Sequence, residues 1–167
     1  DAIAAAEALD IALTKRGKHE GADIPMCGVP VHAAEGYFLT LIRKGFRVAV
    51  CEQMGDPRTT KGIVDRAIVR VVTAGTITEE DELDARASNF LAALFHDARG
   101  CGLAWIDLST GRAHATELRE DQIADELARI APAELLLSEE LPRTAPALAE
   151  GLQRDLGGRI TWRAPWR

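Results

Sequence analysis

Hydrophobic and polar positions along this chain change rhythm several times, and the changes mark out its elements. Residues 1 to 10 are rich in alanine with Ile3 and Leu9 as larger apolar positions, the pattern of a helix. A chain that opens directly on a helix, without a Met or a cap, reads as a fragment. Ile11 to Arg16 alternates at a period of two and predicts a short strand turning at Gly17. Farther on, Ala34, Tyr37, Phe38, Leu41 and Ile42 recur at i, i+3, i+4, i+7 and i+8, the stripe of an amphipathic helix. Arg43 and Lys44 followed by Gly45 supply the cations and the left-handed stop that end such a helix. Phe46 to Glu52 predicts a strand with Val48 and Val50 on one face. A polar loop containing TTKG leads to a further strand at Ala67 to Thr73. Strand, helix, strand and loop make an α/β unit.

The rhythm is lost over GTITEEDELDAR, residues 75 to 86, an acidic stretch with few large apolar side chains that suits a connection. A second pattern starts at Asn89. Three strand-like runs, NFLAALFHD, CGLAWIDL and RAHATEL, separated by ARG and STG turn signals, predict an antiparallel meander. Asp121 to Ile130 reads as a helix with Ile123, Leu127 and Ile130 inward, Glu134 to Ser138 as a buried strand, Ala145 to Leu156 as a helix and Ile160 to Trp162 as a strand. The expected fold class is therefore α/β, a first domain with a mixed sheet followed by a second, mixed α/β domain.

Composition narrows the function. With 167 residues, 47% hydrophobic and 28% charged, the chain falls among globular proteins rather than disordered ones. No apolar run reaches the roughly 18 residues that span a bilayer, and no signal segment opens the chain, so a cytoplasmic protein is expected. The net charge of −6 is uneven: residues 1–74 carry +1 and residues 75–167 carry −7, with all four lysines in the first part. The first part is the better candidate for meeting a polyanion. Its basic residues form three groups, Thr14 to Arg16, Arg58 to Lys61, and Arg66 with Arg70. Each joins cations to a strand end or a loop from which phosphate oxygens can be reached, although solvated loop charges look the same. No GxxxxGK[ST] loop is present.

Two places invite a chemical reading. Cys27, His32 and Cys51 could form a thiol or metal centre, and Asp107 in AWIDLSTG stands where several nuclease folds place a metal-binding carboxylate. A hydrolase using Cys27 with His32, or Asp107, is thus one functional class. The structural alternatives are simple. Cys51 would be a small core residue, Cys27 would fill space beside a turn, and His32 would sit in a first helical turn. Asp107 would accept hydrogen bonds in the turn made by Ser109 and Gly111, since Glu134, Glu139 and Glu140 are its only other candidates for partners. Three widely spaced cysteines argue against a disulfide framework and a closed zinc site.

Five blocks taken in order, LDIALTKRG, IPMCGVPVHAAEGY, VAVCEQMGDP, KGIVDRAIVRVVTAGT and NFLAAL, resemble the N-terminal part of the bacterial MutS family of DNA mismatch repair proteins. The resemblance implies most of a mismatch-recognition domain at residues 1–74, a linker at 75–87, and at 88–167 a connector domain of RNase H-like fold, incomplete at residue 167. It implies that Lys15 and Arg16 of the TKRG turn, Met26 of the PMxGxP loop, and Lys61 and Arg66 of the KGxVxR segment lie near duplex DNA. Arg16, Lys61 and Arg66 would touch phosphates, and Met26 with Cys27 would approach the groove edge. In this family a Phe and a Glu of a GDFYE-type motif enter the minor groove at a mispair, where a deformable step bends at lower cost. These 167 residues contain no such motif. The resemblance further implies no catalytic or metal residue and no cofactor here. ATP and Mg would serve an ATPase farther along the intact protein, whose partners would be DNA with mispairs or small loops, a MutL-type repair protein and a second copy.

Overall fold

The computed structural model describes residues 1–55, 64–77 and 89–165, and the chain divides into two compact units, Asp1–Val72 and Thr73–Arg167. The expected loop cations Arg58 and Lys61, with Thr59 and Thr60, lie outside the described residues.

The first unit runs α1 (Ala2–Leu9), β1 (Thr14–His19), β2 (Ala22–Met26), α2 (Ala34–Arg43), β3 (Val48–Gln53) and β4 (Arg66–Val72). Its strands form two antiparallel ribbons, β1–β2 and β3–β4. The expected turn at Gly17 is corrected by the structure. Gly17, at φ +69°, lies inside β1 where the register shifts between Lys15 and Lys18, so its left-handed backbone makes a β-bulge. The reversal falls at Glu20 and Gly21, with φ of 49° and 83°, the two consecutive positive values that a type I′ hairpin turn requires. Helix α2 stops as its sequence predicts: Gly45 has φ +84°, its N–H donates to the Ile42 carbonyl at 2.9 Å, and the Phe46 N–H donates to Leu41 at 3.0 Å. The Lys44 ammonium donates to the carbonyl of Ala8 at 2.6 Å, joining α2 to the end of α1.

Cross-strand pairing sorts the β3–β4 ribbon into two faces. Val48 pairs with Val72 and Val50 with Arg70, on the face that carries buried Val72 and the Arg70–Glu35 ion pair to α2 (2.6 Å). Ala49, Cys51, Ile68 and Val71 share the other face and are exposed. Cys51 is therefore not the core residue expected of it, because the alternation in β3 does not say which face is covered.

The second unit is a five-stranded sheet in the order β7-β6-β5-β8-β9. Its strands are β5 (Phe90–Asp97), β6 (Gly100–Asp107), β7 (Arg112–Leu118), β8 (Glu134–Ser138) and β9 (Ile160–Arg163), with helices α3 (Ile123–Ile130), α4 (Leu141–Thr144) and α5 (Pro146–Leu156) between the later strands. The first three strands form the predicted meander, and β5, β8 and β9 pair in parallel, so the mixed sheet lies in this unit, while the described strands of the first unit make antiparallel ribbons only. Ile123, Leu127 and Ile130 of α3 lie buried with Ala92, Leu103, Leu135, Leu137 and Leu152 in one core. The four-residue α4 has no apolar stripe to announce it and was not predicted. Thr73 to Thr76 belong to this unit. They form a short 3-10 turn with a capping box, and buried Glu134 of β8 accepts from the Thr73 hydroxyl, from the Gly75 N–H at 3.1 Å and, on its other oxygen, from the Thr161 hydroxyl at 2.6 Å. Gly75, expected to open the linker, is buried instead, and a Cβ there would lie 2.8 Å from the Cβ of Glu134.

Candidate nucleic-acid interface

A surface that binds a polyanion needs cations that their own neighbours do not neutralise, on backbone that can come close. The β1–β2 hairpin offers exposed backbone and, among the described residues, Arg16 and Lys18 outside any ion pair. All its residues are exposed, and the Thr14 hydroxyl donates to the Met26 carbonyl at 2.8 Å, fixing the open end. Thr14 pairs with Met26, Lys15 with Pro25, Lys18 with Asp23 and His19 with Ala22. Partners share a face, and alternate residues of β2 return to it. Lys15 and Lys18 therefore lie together on the Pro25 and Asp23 face, and Met26 lies with Ile24 and Thr14 on the other. Lys15 makes an ion pair with Asp23 at 2.9 Å, with both side chains well exposed, at 69% and 44%. Such a pair is weak and open to competition by another anion.

The five residues the sequence pointed to are thus distributed as follows. Lys15, Arg16 and Met26 come together on one hairpin, with Lys15 and Met26 on opposite faces. Arg66 opens β4 opposite Gln53, on the exposed face of the second ribbon. Lys61 lies outside the described residues. Among the described residues neither Arg16 nor Arg66 makes an ion pair, whereas Arg70 of the same basic group is held by Glu35. Lys18 was missed. Counting alternate positions from Lys15 puts it on the far face, and only the bulge at Gly17 returns it.

The reactive readings find less support. His32 is exposed in the 3-10 turn Val31–Ala33, Cys27 is half-buried and Cys51 is exposed. Among the described residues no three His, Cys, Asp or Glu side chains stand close enough to share a metal ion. Asp107 accepts from the Ser109 hydroxyl at 2.6 Å and the Ser109 N–H at 3.0 Å, and the Gly111 N–H donates to its carbonyl at 2.8 Å. The Ser109 hydroxyl chiefly holds its carboxyl below the usual range, as a turn-closing aspartate requires. Glu134, a possible partner for it, spends its oxygens on Thr73, Gly75 and Thr161. Burial pushes the Cys101 thiol up, away from reactivity.

Comparison with known proteins places both units. Residues 1–81 match the model of MutS domain I, and residues 89–166 match that of MutS domain II. The chain belongs to the MutS family. It is 62% identical over 145 residues to the DNA mismatch repair protein MutS of Ruegeria pomeroyi, covering 84% of this chain and 16% of that protein. To the MutS of Roseobacter denitrificans it is 58% identical over 163 residues, 95% of this chain and 19% of the relative, and to that of Paracoccus denitrificans 58% over 144 residues. The chain thus spans less than a fifth of the length of these MutS relatives. The MutS domain I match runs past Val72, so the turn Thr73 to Thr76 belongs by sequence to domain I and by packing to the second unit. No helix among the described residues is long and apolar enough to cross a membrane.

Proposed function

We propose that this chain binds duplex DNA as part of a mismatch sensor. Its first unit would hold the DNA backbone, and its second would connect that unit to the rest of a longer, ATP-dependent protein. The observation that carries this reading is the exposed β1–β2 hairpin, with Lys15, Arg16 and Lys18 within four consecutive positions, in a chain matching MutS domains I and II. Arg16 and Arg66 serve as phosphate contacts, Lys61 extends the same set, and Met26 meets the groove edge from the apolar face of the hairpin. The segment performs no catalysis of its own. In the whole protein, ATP with Mg is used by another domain, the connector meets a MutL-type repair protein, and two copies act together.

Reading a mispair needs a side chain wedged into the stack, and the 167 residues hold no GDFYE-type motif to provide one. The expected behaviour is weak duplex binding with steep salt dependence and almost no preference for a mispair. Titrating matched and mismatched duplexes at two salt concentrations tests this. Salt-insensitive binding, or a clear mismatch preference, would overturn it. The hydrolase reading makes a different demand: the purified chain would show hydrolytic activity that the Cys27→Ala, Asp107→Asn double variant loses.

A further inference from the structure

The bulge in β1 carries an inference beyond the matched motifs, one that rests on the duplex-binding reading. In an unbroken strand, residues three apart face opposite ways, so Lys15 and Lys18 would point to opposite sides of the hairpin. Arg16 and Gly17 together stand opposite Ile24, and the register resumes with Lys18 opposite Asp23. The extra residue turns the strand by one position and brings both ammonium groups to one face. Gly17 makes this possible through its backbone. At φ +69° it occupies the left-handed region, and nothing lies within 4 Å of where a Cβ would stand, so conformation and not space selects glycine.

We propose that the Lys15–Lys18 face is a phosphate clamp built by the Gly17 bulge, with Asp23 as the internal anion that a DNA phosphate displaces from Lys15. Asp23 sits opposite Lys18 and is ion-paired to Lys15, so it occupies the place between the two cations that an incoming phosphate oxygen would take. The pair is exposed on both sides, and the exchange therefore involves little loss. The clamp reads charge and not sequence, because point-charge ammonium groups carry no base discrimination.

The test is the salt dependence of binding by this chain to a matched duplex. Each phosphate neutralised contributes about 0.9 to the slope of log affinity against log salt. Lys18→Ala and Lys15→Ala are each expected to lower the slope by about that amount, and Asp23→Asn to tighten binding at low salt by a few-fold. Gly17→Val, β-branched in a left-handed position, should lose what Lys18→Ala loses, and Gly17→Asn, which tolerates that region, should retain it. If Gly17→Val unfolds the hairpin, Lys18→Ala still decides, because it leaves the bulge intact. An unchanged slope in Lys18→Ala, while Arg16→Ala or Arg66→Ala still lowers it, would overturn the clamp and leave the duplex-binding reading standing. Absence of any salt-dependent binding by the parent chain would overturn both.

Discussion

The two units treat their apolar side chains in opposite ways. In the second, thirteen buried residues from β5, β6, α3, β8, α4, α5 and β9 form one core, and among the described residues only Phe95 and Leu108 stand out as exposed large hydrophobics. In the first, the buried apolar residues among those described are Ala6, Ala8, Ile42 and Val72, while ten large hydrophobics, Met26, Ile68 and Val71 among them, are exposed. The second unit is organised around its interior and the first around its surface. A core of this kind specifies one packing. The exposed ribbons leave backbone and cations outside, as the proposed duplex contact requires.

The contrast can be broken most severely from within the second core. Leu135 is fully buried in β8, so Leu135→Ala should cost about 2–5 kcal/mol in chemical denaturation. Ile68→Ala, at an exposed site of the first unit, should stay within about 0.5 kcal/mol. Equal effects would erase the distinction. The next largest effect is expected at Glu134, whose carboxylate holds the turn Thr73 to Thr76 with which the second unit begins. Glu134→Gln replaces one accepting oxygen with a donor, which leaves a hydroxyl or the fixed Gly75 N–H without its partner, at about 1–3 kcal/mol. Hydrogen exchange should quicken at Thr73 to Thr76 in that variant, and Gly75→Ala should act similarly through its clash with Glu134 and Leu91.

Acid gives a smaller effect. The Arg99 N–H and side chain hold the Asp97 carboxyl below its usual range, Ser109 does so for Asp107, and Arg129 for Glu126. A carboxylate with a lowered folded-state pKa contributes stability that is present above its unfolded pKa and lost as pH falls through the folded one. The second unit should therefore weaken below the ordinary carboxylate range. Asp107→Asn should flatten part of that acid limb in a pH series of melting temperatures.

What the sequence allowed to be read follows the same division. The meander, α3 and β8 were legible because their apolar periods face a real core, which leaves one placement for each. In the first unit the same rules lacked an arbiter. Gly17 and Gly21 are both turn signals, and only the pairing shows that one makes a bulge and the other the turn. Val48, Ala49, Val50 and Cys51 alternate without declaring which face is covered, so Cys51 was placed inside when it lies outside. The candidate interface was legible as a group of cations with family motifs around them. Its geometry was not, since Lys18 joins Lys15 only through a one-residue register shift.

The division of labour is tested most directly by amide hydrogen exchange of this chain with and without a matched duplex at low salt. Protection is expected to rise across Thr14 to Met26 and at the start of β4 around Arg66, and to stay unchanged in the five strands of the second unit. Protection gained in that sheet, with the hairpin unaffected, would contradict the account.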